Sequence, residues 1–126
     1  MKTETYGDIR LNTSDKISRQ GRLHLDTDIV LKDVGIDYSW KVTRVRDKIG
    51  RPTSSIKSAE FKCTFILSKE DKNTFDDFVQ KNEKKELTIE FLLHKEDVRE
   101  DVKVDVFILN GLLYIRNMYI NGAPVL

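Results

Sequence analysis

From Val34 onward the apolar residues fall on every second position, and only once does that spacing break. Ile36, Tyr38, Trp40 and Val42 alternate with Asp37, Ser39, Lys41 and Thr43, which predicts a strand over Val34–Arg46. Ala59, Phe61, Cys63, Phe65 and Leu67 mark a second strand, Ser58–Leu67. Leu87, Ile89, Phe91 and Leu93 mark a third, and Val102, Val104, Val106 and Ile108 a fourth. Side chains of a strand point alternately to its two faces, so a period of two is the pattern of a half-buried strand. Asn110-Gly111 is a strong hairpin turn before a last strand, Leu112–Ile120, and the charged run His94–Asp101 reads as another hairpin tip. Upstream, Leu23, Leu25 and Ile29-Val30-Leu31 suggest one or two short strands around an Asp26-Thr27-Asp28 turn.

The break comes after Ser68. Phe75, Phe78 and Val79 stand at i, i+3 and i+4, the spacing of one helical face. Ser68 is a good N-cap, and Glu70 and Asp71 complement the helix dipole in the first turn. One amphipathic helix is predicted over about residues 69–80. It interrupts a series of hairpins rather than alternating with strands, so the expected fold is mainly β: an antiparallel barrel or sandwich with one helix. Trp40, Phe61, Phe65, Phe75 and Phe78 are the expected core aromatics. The 126 residues suit a single domain, residues 1–126, in which the polar residues 1–20 read as a loosely attached arm with an early strand near Asp8–Asn12.

Charge and composition exclude several function classes. Twenty-two basic residues nearly cancel 21 acidic ones, and a net charge of +1 argues against bulk capture of nucleic acid. No apolar run approaches the roughly 20 residues that span a bilayer, and Met1-Lys2-Thr3-Glu4-Thr5 leads into no apolar signal segment. A lone cysteine, Cys63, rules out an internal disulfide and fits a reducing, cytoplasmic setting. That cysteine sits between Phe61 and Phe65 on one strand face, where a thiol is a small core residue rather than a nucleophile. His24 and His94 have no motif around them. Asp26-x-Asp28 lacks the rest of a calcium loop and is read as a turn. No phosphate-binding, dinucleotide, zinc-protease or Cys-x-x-Cys motif is present. The expectation is a protein without catalytic residues, cofactor or metal.

The most distinctive string is Arg46-Asp47-Lys48-Ile49-Gly50-Arg51-Pro52-Thr53-Ser54-Ser55, placed between two alternating strands and followed by Asp71-Lys72-Asn73-Thr74-Phe75-Asp76-Asp77-Phe78. Over about Tyr38–Phe91 this arrangement resembles the tube subunit of type VI secretion systems in its Bacteroidetes form, the Hcp or TssD family. The resemblance implies a tail-tube-like β-barrel with one helix, closed into a usually hexameric ring. Rings would stack into the inner tube of a contractile apparatus, and the subunit could leave the cell through that apparatus without a signal peptide. The implied partners are copies of the same chain and other secretion-apparatus or baseplate proteins, with no nucleic acid and no membrane. A ten-residue excursion is long for a hairpin, which marks it as functional or mobile. Asp47, Gly50, Arg51, Pro52, Thr53, Ser54 and Ser55 are the candidate interface residues. The bland reading is a solvated loop with an internal Asp47–Arg51 pair.

Overall fold

The structure is a computed structural model and describes residues 2–14, 21–95 and 98–125. Along the chain run β1 (Lys2–Tyr6), β2 (Ile9–Thr13), β3 (Gly21–Asp26), β4 (Ile29–Arg46), β5 (Pro52–Leu67), α1 (Lys69–Lys81), β6 (Glu86–Lys95), β7 (Val98–Leu109), β8 (Leu112–Ile120) and β9 (Ala123–Pro124). They form one sheet in the order β1-β2-β5-β4-β3-β6-β7-β8-β9. The sheet is mixed rather than wholly antiparallel, because β2 lies parallel to β5, with Ile9 opposite Cys63 and Thr13 opposite Leu67.

Of the short strands expected before Val34, the one with Leu23 and Leu25 is β3, whereas Ile29-Val30-Leu31 is continuous with the strand after it. The first part of β4 pairs with β3, up to Val34 opposite Gly21. From Gly35 onward the same strand pairs with β5. One strand therefore joins both halves of the sheet. The sheet curls until Gly7, between β1 and β2, makes a single parallel bridge to Leu113 of β8. No ladder follows from that bridge, so the sheet is not closed into a barrel.

The core lies on the inner side of the curl. Phe65, Phe91, Ile89, Leu23, Val34, Val102, Val104, Val106, Ile108, Leu113 and Met118 are all nearly inaccessible there. The helix supplies Phe75, Phe78 and Val79 to the same cluster, as its spacing required. Phe75 meets Phe65 at 6.5 Å and the edge of Tyr6 at 6.1 Å between ring centroids. Ser68 caps the helix, its Oγ accepting from the Asp71 amide at 3.2 Å. At the other end Asn82 Nδ2 donates to the Phe78 carbonyl at 2.8 Å.

Residues 2–14 are not a loose arm. They form two strands of the sheet, and Ile9 and Leu11 are fully buried in its core. Burial of two large aliphatic side chains outweighs the polar character of their neighbours, each being worth roughly 1.5–3 kcal/mol. Residues 15–20 of the expected arm lie outside the described residues, as do the tip of the β6–β7 hairpin and the side chain of His94. The Asn110-Gly111 turn is formed as expected, with φ of 55° and 73°. Its amides are held by the Glu83 carboxylate, which accepts from Asn110 and, at 3.1 Å, from Gly111.

Candidate assembly interface

Beyond the body of the sheet, β4 and β5 continue as a two-stranded ribbon. Their ladder runs from Gly35 opposite Ile66 to Arg46 opposite Pro52. Between Trp40 and Glu60 only Val42 and Thr53 are even half-buried, so both faces of the ribbon meet solvent. At a rise of about 3.4 Å per residue, the stretch from Trp40 to Arg46 reaches about 20 Å. The loop expected over Asp47–Ser55 is shorter than its composition suggested. Strand pairing resumes at Pro52, and Thr53, Ser54 and Ser55 belong to β5. Two bonds from side chain to backbone extend the ladder through these turn-forming residues. Thr53 Oγ1 donates to the Val45 carbonyl at 2.7 Å, and Arg44 donates to the Ser54 carbonyl at 3.0 Å.

The tip itself is organised by Asp47. Its Oδ1 accepts from the amides of Ile49 and Arg51, both at 2.9 Å. Its backbone bonds reciprocally with the turn, Asp47 N–H to Arg51 O at 2.9 Å and Gly50 N–H to Asp47 O at 3.0 Å. Gly50 takes φ +84° with open space where a Cβ would stand, so glycine is needed there for its backbone and not for room. Arg46 closes the turn by donating to the Gly50 carbonyl at 2.7 Å. Arg51 Nε lies 3.5 Å from Asp47 Oδ2, so the internal Asp47–Arg51 pair does form. The Arg51 side chain nevertheless remains 73% exposed. An exposed pair of this kind contributes about 0–1 kcal/mol. The tip is thus shaped from within and keeps a guanidinium on its surface.

Trp40 is not a core residue. It is 44% exposed, while Phe61, opposite it on β5, is 9% exposed. The stripe of apolar side chains that fills the core runs on past the end of the body, through Trp40, Val42 and Ala59 to Ile56. Tyr38 lies parallel to Trp40 along this stripe, with ring centroids 6.4 Å apart. Val45 and Ile49 add exposed apolar surface near the tip.

Charge is concentrated in the same place. Lys41, Arg44, Arg46, Lys48, Arg51 and Lys57 face one acidic residue, Asp47, within residues 41–57. The rest of the chain carries 16 basic and 20 acidic residues, so a ribbon of net +5 projects from a body of net −4. The near-neutral total hides this division; a charge count over a short window of the sequence finds it.

The other sequence candidates do not gather into a site. Cys63 is buried, and its thiol is pushed up to about 12, chiefly by burial and secondarily by the Asp37 carboxylate. Such a thiol is inert at neutral pH. Asp26 Oδ1 accepts from the Thr27 amide at 2.7 Å, a local turn contact. His24 is half-buried on the outer face of β3, opposite Glu90. Among the described residues no group of three or more His, Cys, Asp or Glu side chains is placed to hold a metal ion. Among the described residues no helix is long and apolar enough to cross a membrane. Compared with known proteins, the chain matches no protein family, no curated protein and no solved structure.

Proposed function

We propose that this chain is a structural subunit of a contractile injection or secretion apparatus, assembling through its β4–β5 ribbon into rings that stack as an inner tube. The observation that carries this reading is the ribbon: a two-stranded projection, exposed on both faces, with an apolar stripe and a net charge of +5 against a body of net −4. An isolated ribbon of this kind buries too little apolar surface for folding to need it. A surface of one sign on a projection and of the other on the body suits a head-to-tail contact between copies. A heterologous contact of that type gives a ring when it closes and a filament when it does not. The resemblance of Tyr38–Phe91 to the type VI tube subunit supplies the apparatus, and a tail-tube-like barrel would be completed by neighbouring subunits.

Replacing Arg51 by glutamate tests this. The variant is expected to keep the wild-type unfolding midpoint to within about 0.5 kcal/mol and to lose ring stacking by negative-stain microscopy. Normal stacking by the variant would reduce the tip to a solvated turn. Loss of folding would make Arg51 part of the internal Asp47 network alone. The alternative within the same apparatus is a baseplate or tube-initiating relative that does not polymerise. A second reading rests on the parallel Tyr38–Trp40 pair beside basic side chains, which is the makeup of a surface that stacks single-stranded nucleic acid. Salt-dependent retention on a single-stranded DNA column, with no rings in the microscope, would favour it.

A further inference from the structure

Where β3 turns back into β4 it leaves β6. The β3–β6 ladder stops at His24 opposite Glu90, whereas β6 runs on to Glu86 with only β7 beside it among the described residues. The gap is a groove of about 420 Å³, lined by the Asp26-Thr27 turn, by Phe78 in the last turn of the helix and by Leu87 and Thr88 of β6. Leu25 and Phe78 are buried and Leu87 is half-buried, so the groove has an apolar floor. Asp26 and Asp28 stand exposed on the turn, and among the described residues neither has a cationic partner. Such a groove fits an apolar side chain flanked by positive charge.

The tip of the ribbon is built that way. Ile49 is 75% exposed, more than any other large apolar side chain among the described residues. One exposed isoleucine is ordinary on a surface. This one, however, is fixed in place, because its amide donates to Asp47 Oδ1 at 2.9 Å. Lys48 precedes it, and Arg46 and Arg51 flank Asp47–Gly50. Tip and groove do not meet within one chain. β4 starts at the pairing of Asp26 with Ile29 and reaches the tip only after 18 residues without a break.

We infer that the groove beside the Asp26-Thr27 turn receives the ribbon tip of a second copy, Ile49 seating against Leu87 and the basic tip residues meeting Asp26 and Asp28. The inference rests on the reading that copies of the chain stack, and adds the surface on which the next copy sits. Opposite charges guide the approach and fix its register, and burial of Ile49 holds it. Tip and groove belong to opposite ends of one strand, so the contact is heterologous. Each seated copy still offers its own groove to the next.

Cys63 is buried and its thiol is inert, so engineered thiols react alone. Thr88 is exposed in the groove, and Asn73 is exposed on the helix outside it. Ile49→Cys mixed with Thr88→Cys should give, with a short bis-maleimide, several times the mixed dimer that Ile49→Cys gives with Asn73→Cys. Ile49→Ser should raise the concentration at which the light-scattering mass climbs by about tenfold or more, as loss of a buried aliphatic side chain implies. Asp26→Asn combined with Asp28→Asn should raise it as well, and all these variants should keep the wild-type urea midpoint. Equal cross-linking at Thr88 and Asn73, or an unchanged mass profile in Ile49→Ser, overturns the groove while leaving the tube reading standing. A wild-type chain that stays monomeric at every concentration overturns the tube reading and the groove with it.

Discussion

The hydroxyl of Tyr6 donates to a carboxylate oxygen of Asp76 across 2.8 Å, tying β1 to the helix 70 residues further on. The same hydroxyl lies 2.6 Å from Glu4 Oε2, so one proton serves two carboxylates. Lys72 reconciles them, with Nζ 3.0 Å from Glu4 and 3.2 Å from Asp76. Burial and the two carboxylates push the Tyr6 hydroxyl well above its ordinary range, while bonds to Glu4 and then Asp76 raise Lys72. Tyr6→Phe keeps the ring against Phe75 and should cost about 1 kcal/mol in urea unfolding. Lys72→Met leaves two neighbouring carboxylates without the ammonium between them and should cost more, about 2 kcal/mol.

Gly7→Ala must either displace the Leu113 carbonyl or strain the turn, since the added Cβ meets backbone and not a flexible side chain. A loss of about 1–3 kcal/mol is expected, read as a lower urea midpoint with an unchanged slope. Gly111→Ala is the control for backbone strain alone, with φ +73° and open space around the added carbon. An equal loss in the two variants would show that steric contact with β8 contributes nothing.

Phe78→Ala should cost about 3–5 kcal/mol, as truncation of a buried aromatic does. Phe78 is 2% exposed and belongs to the stripe by which the helix closes the core. A wild-type unfolding midpoint would mean that the helix is not packed on the sheet.

Trp40 is the only tryptophan, so intrinsic fluorescence reports on the ribbon without labelling. At 44% exposure it should be quenched readily by acrylamide in dilute solution and become protected as concentration drives assembly. Trp40→Ser should leave stability within about 1 kcal/mol and weaken assembly. Equal quenching at all concentrations, in samples whose mass does rise, would place the ribbon outside the contact.

Burial, and after it the Glu90 carboxylate, raises Asp101 above the usual carboxylate range. A carboxyl raised on folding stabilises the folded chain below its unfolded value and loses that contribution as pH rises through the folded value. Asp101→Asn should therefore raise the melting temperature at pH 7 by a few degrees. The gain should vanish below about pH 4, where the acid is protonated in both states. A gain that persists at pH 3 would assign the effect to packing.

The strands after the helix and the helix itself were legible because their signals are local: alternation, an Asn-Gly turn, a Ser cap and an i, i+3, i+4 stripe. The predicted helix ends at residue 80 and the observed one at Lys81. The place of Ile9 and Leu11 was not legible, because their partners Cys63 and Phe65 are 54 residues away and the pairing is parallel. Period two tells which residues share a face but not whether anything covers that face, and so Trp40 reads from the sequence as a core residue. Pro52 to Ser55 carry turn-forming side chains into a strand because bonds from Thr53 and Arg44 hold them against β4. Of the candidate interface, Asp47 and Arg51 were found at the tip, while the basic residues of the ribbon were hidden by a balanced total.

The single strand β4 has a mechanical consequence. Its near end is laced to β3, its middle to β5, and its far end carries the tip, with no turn or break from Ile29 to Arg46. Planar trans peptides make an extended backbone nearly inextensible. A pull on the tip along the ribbon axis thus arrives at both halves of the sheet through covalent bonds. Both strands of the ribbon take that load in tension, and the ladders that join β4 to β3 and β5 to β2 resist it in shear, their bonds acting together instead of parting one after another.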